Sequence, residues 1–91
     1  MDNLQLNTFT IITQKNCKWC VLAKKVLKER KIPFKEITIP NSLSRDEFIT
    51  LTEKYETKKT VPKIFLGKKL IGGYEDLVEY IEKNGEKIDN G

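Results

Sequence analysis

Two cysteines, Cys17 and Cys20, are the only thiols in this 91-residue chain, and they flank Lys18 and Trp19 in the stretch TQKNCKWCVLAKKVLKER, residues 13–30. A pair at this spacing offers three chemistries: a structural crosslink, half of a metal site, or a thiol–disulfide redox centre. A disulfide across two intervening residues closes too small a loop to restrain much of the unfolded chain. Structural zinc takes about four nitrogen or sulfur ligands. With two cysteines and no histidine, one subunit cannot complete such a site, although a dimer or an added small thiol could. The missing histidine also removes the usual base of a cysteine hydrolase.

Length and composition narrow the setting. The chain is expected to form a single domain, with a core at about residues 8–83 and a frayed tail at 84–91. Its 38% apolar and 33% charged residues match a soluble globular protein. No apolar run approaches the ~20 residues of a membrane-spanning helix, and the start MDNLQLNTF lacks the basic flank and apolar block of a signal peptide. No membrane association and a cytoplasmic location are therefore expected. Thiols are kept reduced there, which favours a catalytic or metal-binding pair over a permanent crosslink. The formal net charge of +4 favours anionic partners. Nucleic acid is not expected among them, because the basic residues are interspersed with acids and the aromatics form no stacking platform.

The elements that must position the thiols follow from the apolar periodicity. TFTIIT (8–13) reads as a buried strand, β-branched and aromatic with little polar interruption. From Trp19 the period becomes helical: Trp19, Leu22 and Val26 fall on one row and Cys20, Ala23 and Leu27 on another. That predicts a helix over about 18–31, stopped before Pro33. FKEITI (34–39) alternates as a second strand, and the three elements make a right-handed βαβ unit with parallel strands. Ser44 and Glu47 form a capping box and Leu43 and Phe48 a hydrophobic staple, so a helix is predicted from Arg45 to Tyr55 or Glu56. TVPKIFLGKKLIGG holds two strands, 63–66 and 69–72, joined at Gly67-Lys68. A last helix, about 75–83, buries Leu77, Val78 and Ile81 and is expected to end at Asn84-Gly85. The order is β-α-β-α-β-β-α around a mixed four-stranded sheet, an α/β fold of thioredoxin-like type. A CxxC at its first strand-to-helix junction is the sign of a redox site.

The junction gives the two cysteines different roles. Cys17, at or just before the first helical turn, faces unpaired N–H groups and the positive end of the helix dipole, about half an elementary charge. Thiols at such positions ionise well below the ~8.5 of a free cysteine. Lys15 and Lys18 add positive potential, so Cys17 is the candidate nucleophile. Cys20 lies one turn further in, where desolvation holds it as a thiol until it attacks a Cys17 mixed disulfide.

Two distant segments remain open when read alone. Thr60-Val61-Pro62 precedes the third strand, and Pro62 is either a simple edge or turn proline or a cis proline that turns the Val61 backbone outward toward an extended peptide. Gly72-Gly73 before Tyr74-Glu75-Asp76 is either an ordinary β-to-α turn with capping acids or a helix start whose N–H groups take a carboxylate.

Taken together, strand–CxxC–helix, TVP and GG-x-x-D, in this order over residues 8–83, resemble a glutaredoxin of the dithiol type within the thioredoxin-like superfamily. The resemblance implies that Cys17 becomes glutathionylated, that Cys20 resolves it, and that Pro62 is cis. It implies that the Val61 backbone, with Thr60 and Pro62, pairs with the cysteinyl part of glutathione. Gly73, Tyr74, Glu75 and Asp76 would hold its γ-glutamyl end, and Lys59 would face its glycine carboxylate. Trp19 is either a core residue beside Leu22 and Val26 or, as the resemblance implies, a groove-lining aromatic beside the nucleophile. Three positions depart from the common pattern. Lys18-Trp19 stands where relatives carry Pro-Tyr. Gln14 holds the place of the basic residue three before the first cysteine, with Lys15 one place later. Glu75 stands where a small hydroxyl residue or aspartate is frequent.

The resemblance implies an enzyme, a glutathione-dependent thiol–disulfide oxidoreductase that reduces protein disulfides or glutathione mixed disulfides. It is expected to be monomeric, with glutathione as co-substrate and no tightly bound cofactor or metal, and with disulfide proteins such as ribonucleotide reductase as targets. Two alternatives stand beside it. One is a thioredoxin-like donor recycled by a flavoprotein reductase; the other is a dimer holding a [2Fe–2S] cluster through Cys17 and glutathione.

Overall fold

The computed structural model describes residues 8–89, with side chains through Asn84. Strand β1 (Phe9–Gln14) leads into helix α1 (Lys18–Glu29), then come β2 (Phe34–Ile39), α2 (Arg45–Lys54), β3 (Lys63–Leu66), β4 (Lys69–Gly72) and α3 (Tyr74–Asp89). The sheet order is β2-β1-β3-β4. β1 runs parallel to β2, with Phe9 opposite Phe34 and Gln14 opposite Ile39, and antiparallel to β3. β3 and β4 form the antiparallel hairpin, turning at Gly67, whose φ of 62° suits a residue without a Cβ. The architecture is the expected mixed sheet of thioredoxin-like type.

Alternation along the central strands divides the core between two faces. Phe9 and Ile11 of β1 join Ile64, with Ala23 and Leu27 of α1 and Leu77 and Ile81 of α3, in one cluster. Ile12, Ile39 and Phe65 point the other way and pack against Phe48 of α2. Because β1 is covered on both faces, it carries no charged residue and holds Phe9 and Ile11 on one side and Ile12 on the other, while the edge strand β2 carries Lys35 and Glu36.

The helix ends follow local chemistry. Ser44 Oγ accepts the Glu47 N–H at 3.0 Å and Glu47 Oε1 accepts the Ser44 N–H at 2.9 Å, the predicted capping box. Leu43 packs in the same cluster as Phe48. α1 closes earlier than predicted, at Glu29, because Lys31 turns into the left-handed region (φ 58°) two residues before Pro33. Helical geometry breaks at Asn84, as expected, and a further helical stretch follows the kink. Asn84 leaves helical geometry (φ −122°), its side-chain amide donating to Tyr80 O at 3.1 Å, and helix resumes to Asp89. That amide competes for the carbonyl the helix ladder would use at this position. Of the tail expected to fray, residues 90 and 91 lie outside the described residues.

Candidate active site

β1 delivers its carboxyl end to a tight turn in which Asn16 takes a left-handed conformation (φ 58°), and Cys17 follows in extended geometry as the N-cap of α1. Its sulfur therefore folds back over the first helical turn and accepts the Cys20 N–H at 3.1 Å. Sulfur here fills the place of the usual capping oxygen, against the positive end of the helix dipole. No acidic residue stands in that first turn to oppose it. Cys20, 2% exposed, lies on the buried stripe with Ala23 and Leu27. The pair is joined as a disulfide, Cα to Cα 5.2 Å, so the structure holds the oxidised centre.

The TVP segment reaches this sulfur from the other end of the sequence. Cys17 Sγ lies 3.9 Å from Val61 O, and the Val61–Pro62 peptide is cis. The Ile39–Pro40 peptide is cis as well, at a proline that the sequence reading did not single out. Lys59, Thr60 and Val61 line a hollow of about 400 Å³ together with Gln14, Ile39, Arg45, Phe48 and Ile49. Lys15 does not line it. Lys15 borders a second hollow, of about 790 Å³, beside Cys17, Lys18 and Lys24. Gln14 borders both.

Trp19 lies at the surface and not in the core. It is 48% exposed, and its ring centroid stands 5.4 Å from that of Tyr74 at the start of α3, with Lys18 Nζ 5.7 Å from the indole. The indole and phenol thus bridge the amino ends of α1 and α3. Glu75 and Asp76, both exposed, occupy the first turn of α3. Asp76 Oδ2 accepts the Gly73 N–H at 3.0 Å, so Gly73 provides shape at this corner while its donor serves Asp76. Gly72, at φ 129°, is required there, because a Cβ would run into the Asp76 carboxylate.

Sequence reasoning missed two polar clusters beside the site. In the first, Glu36 of β2 accepts from Thr13 Oγ1 at 2.6 Å and from Lys24 Nζ at 3.0 Å, in the larger hollow. The Thr13 hydrogen bond is the largest effect holding its carboxyl below the usual value of 4.5; burial opposes it next in size, and the Lys24 hydrogen bond and the charges of Lys24 and Lys28 lower it further. A depressed folded pKa gives stability that is complete above that value and is lost as pH falls through the folded one. Glu36→Gln is therefore expected to flatten the acid side of the stability profile below about pH 4.5. Urea unfolding at stepped pH measures this, and an unchanged slope would remove Glu36 from the account.

The second cluster surrounds Lys63, next to Pro62, which is only 4% exposed although it carries an ammonium group. It donates to Thr57 Oγ1 at 3.2 Å and Thr60 Oγ1 at 3.4 Å, tying the loop before TVP to the first residue of β3. Burial pushes its pKa down, partly offset by the negative charge of Asp76 and reinforced by Lys58. In the sequence a lysine at the start of a strand reads as solvent-facing, so no local signal marked this cluster.

Residues 9–71 match the family model described as Glutaredoxin. Glutaredoxin 1 of Rickettsia conorii is 33% identical over 85 residues, covering 93% of this chain and 81% of its own. Glutaredoxin 3 of Escherichia coli K12 is 34% identical over 76 residues, covering 82% and 87%. Among solved structures, Francisella tularensis glutaredoxin 1 complexed with cacodylate superposes with a TM-score of 0.67 at 26% identity, over 92% of this chain and 98% of that one. A buckwheat glutaredoxin–glutathione complex superposes with a TM-score of 0.73 over 93% and 80%, and at 22% identity that likeness speaks for the fold.

Proposed function

This chain belongs to the glutaredoxin family, a family of glutathione-dependent thiol–disulfide oxidoreductases, and from that premise we propose how its own residues divide the work. Cys17, as thiolate, attacks the glutathionyl sulfur of a mixed disulfide R–S–SG. The S–S bond of the mixed disulfide breaks, R–S⁻ leaves and takes a proton, and Cys17 carries glutathione. A second glutathione thiolate attacks that glutathionyl sulfur, releasing oxidised glutathione and restoring Cys17. With a protein disulfide, Cys17 forms the mixed disulfide, Cys20 attacks Cys17 Sγ to free the reduced protein, and two glutathiones then reduce the Cys17–Cys20 bond.

The observation that carries this reading is the capping geometry: Cys17 Sγ accepts a helix N–H at 3.1 Å while Cys20, one turn on, is buried. Glutathione lies with its γ-glutamyl end at Tyr74-Glu75-Asp76, its cysteinyl backbone against Val61, and its glycine carboxylate toward Lys59. The molecule works as a cytoplasmic monomer with no tightly bound cofactor, and its targets are protein disulfides, ribonucleotide reductase among them. The comparisons favour neither the reductase-recycled donor nor the cluster-holding dimer.

The test is NADPH oxidation with glutathione, glutathione reductase and the mixed disulfide of glutathione with 2-mercaptoethanol. Turnover that is saturable in glutathione is expected. A rate no higher than the uncatalysed exchange, with the folded protein present, would overturn the reading.

A further inference from the structure

We propose that the furrow beyond the glycine end of the glutathione groove selects polypeptide substrates whose reactive cysteine is followed, on its C-terminal side, by carboxylates. This rests on the glutathione orientation given above. The two hollows adjoin, with Gln14, Ile39 and Arg45 in the lining of both, and Cys17 borders the larger one. The glycine end of a tripeptide reaches only the first, about 400 Å³, next to Lys59 and Val61. The second, about 790 Å³, continues past Lys15 and Lys18 to Lys24 and Glu36, and glutathione has no atoms left to fill it.

Charge decides what the extra space suits. Five cations border the furrow, Lys15, Lys18, Lys24, Arg45 and Lys59, against one carboxylate, Glu36, which Lys24 and Thr13 already hold. Among the described residues, no carboxylate pairs with Lys15, Lys18, Arg45 or Lys59. Val21, 61% exposed on the same wall, adds an apolar contact.

A polypeptide paired at Val61 in the same direction differs from glutathione one residue after its cysteine. Where glutathione ends in a carboxylate, the polypeptide continues as a neutral peptide group, so the anion must come from a side chain. An extended chain advances about 3.3 Å per residue, so the two or three residues after the cysteine add about 7–10 Å of chain on the side that Lys59 and Arg45 border. Residues before the cysteine run the other way, toward the start of α3 and away from the five cations of the furrow.

The experiment uses Cys20→Ser protein, in which a Cys17 mixed disulfide persists. Glutathionylated protein is equilibrated with blocked peptides containing Cys-Asp-Asp, Cys-Asn-Asn, Cys-Lys-Lys or Asp-Asp-Cys. Exchange conserves thiols and disulfides, the peptide replacing glutathione on Cys17, and intact-mass measurement gives the ratio. Each ratio is divided by that peptide's own equilibrium with oxidised glutathione, which removes differences in thiol basicity. Cys-Asp-Asp is expected to exceed Cys-Asn-Asn by about fivefold at low salt, with the advantage largely lost near 0.5 M NaCl and reduced in Arg45→Gln and Lys24→Gln. Equal uptake of Cys-Asp-Asp and Asp-Asp-Cys, or a preference untouched by both substitutions, overturns the inference while glutathione uptake upholds the parent reading. Protein that accepts neither glutathione nor peptide overturns both.

Discussion

Cys17→Ser is expected to reduce glutathione-dependent turnover to the uncatalysed background, a fall of roughly 10³-fold or more. The serine hydroxyl can replace the sulfur as acceptor of the Cys20 N–H, so the fold should be retained and even its cap preserved. What is lost is the thiolate, since a hydroxyl does not ionise near neutral pH even against a helix amino end. Cys20 cannot substitute, because it is buried on the stripe that faces Ala23 and Leu27. Cys20→Ser separates the two roles. It should keep turnover of glutathione mixed disulfides, which needs one thiol, and lose reduction of intramolecular protein disulfides, where the resolving thiol releases the product. Steady-state rates of both variants on both substrates decide the matter. Substantial activity in Cys17→Ser would end the assignment of the nucleophile.

The largest effect on stability is expected at Leu27. Its side chain is fully buried in the cluster formed with Phe9, Ile11, Ile64 and Leu77, at the crossing of α1 with the sheet. Truncation to alanine removes apolar contact and leaves a cavity, at a cost of about 2–5 kcal/mol. For a chain of this length, total stability is of the order of 5–15 kcal/mol, and each kcal/mol moves the midpoint by roughly 4–8 °C. Leu27→Ala should therefore melt roughly 10–30 °C below the parent, whereas Val21→Ala, on the exposed face of the same helix, should stay within a few degrees. Leu27 is ten residues beyond Cys17, about 15 Å along the helix, so activity measured well below the melting point should persist. Circular dichroism melts of the two variants provide the comparison. A shift of under three degrees for Leu27→Ala would mean that α1 does not depend on this packing.

Much of this arrangement is legible in the sequence because its determinants are local. The Ser44–Glu47 box, the Cys20-Ala23-Leu27 stripe and the Gly67 turn each depend on residues three or four apart, whose geometry a helix or hairpin dictates. The site was legible for a different reason: its three segments adjoin strands at one end of the sheet, CxxC after β1, TVP before β3 and Gly72-Gly73 at the close of β4. Lys63 and Glu36 were not legible. Each is defined by partners brought in by tertiary register, Glu36 by a threonine on the neighbouring parallel strand and Lys63 by hydroxyls in the loop before it. A charged residue in a strand reads as solvent-facing until that register is known. The break in helical geometry at Asn84 was legible, but the helical stretch beyond that kink, to Asp89, was not.

The sulfur at the head of α1 has one further consequence. Because Cys17 is at once the reacting atom and the latch on the first turn, the charge state of the reaction is also the charge state of the latch. A thiolate grips the Cys20 amide as an anion, and a disulfide sulfur grips it as a weak neutral acceptor. Each cycle therefore tightens and slackens the start of the helix, and the slack phase is the one in which Cys20 must shift to strike. Reactivity and local opening are governed by the same electron pair.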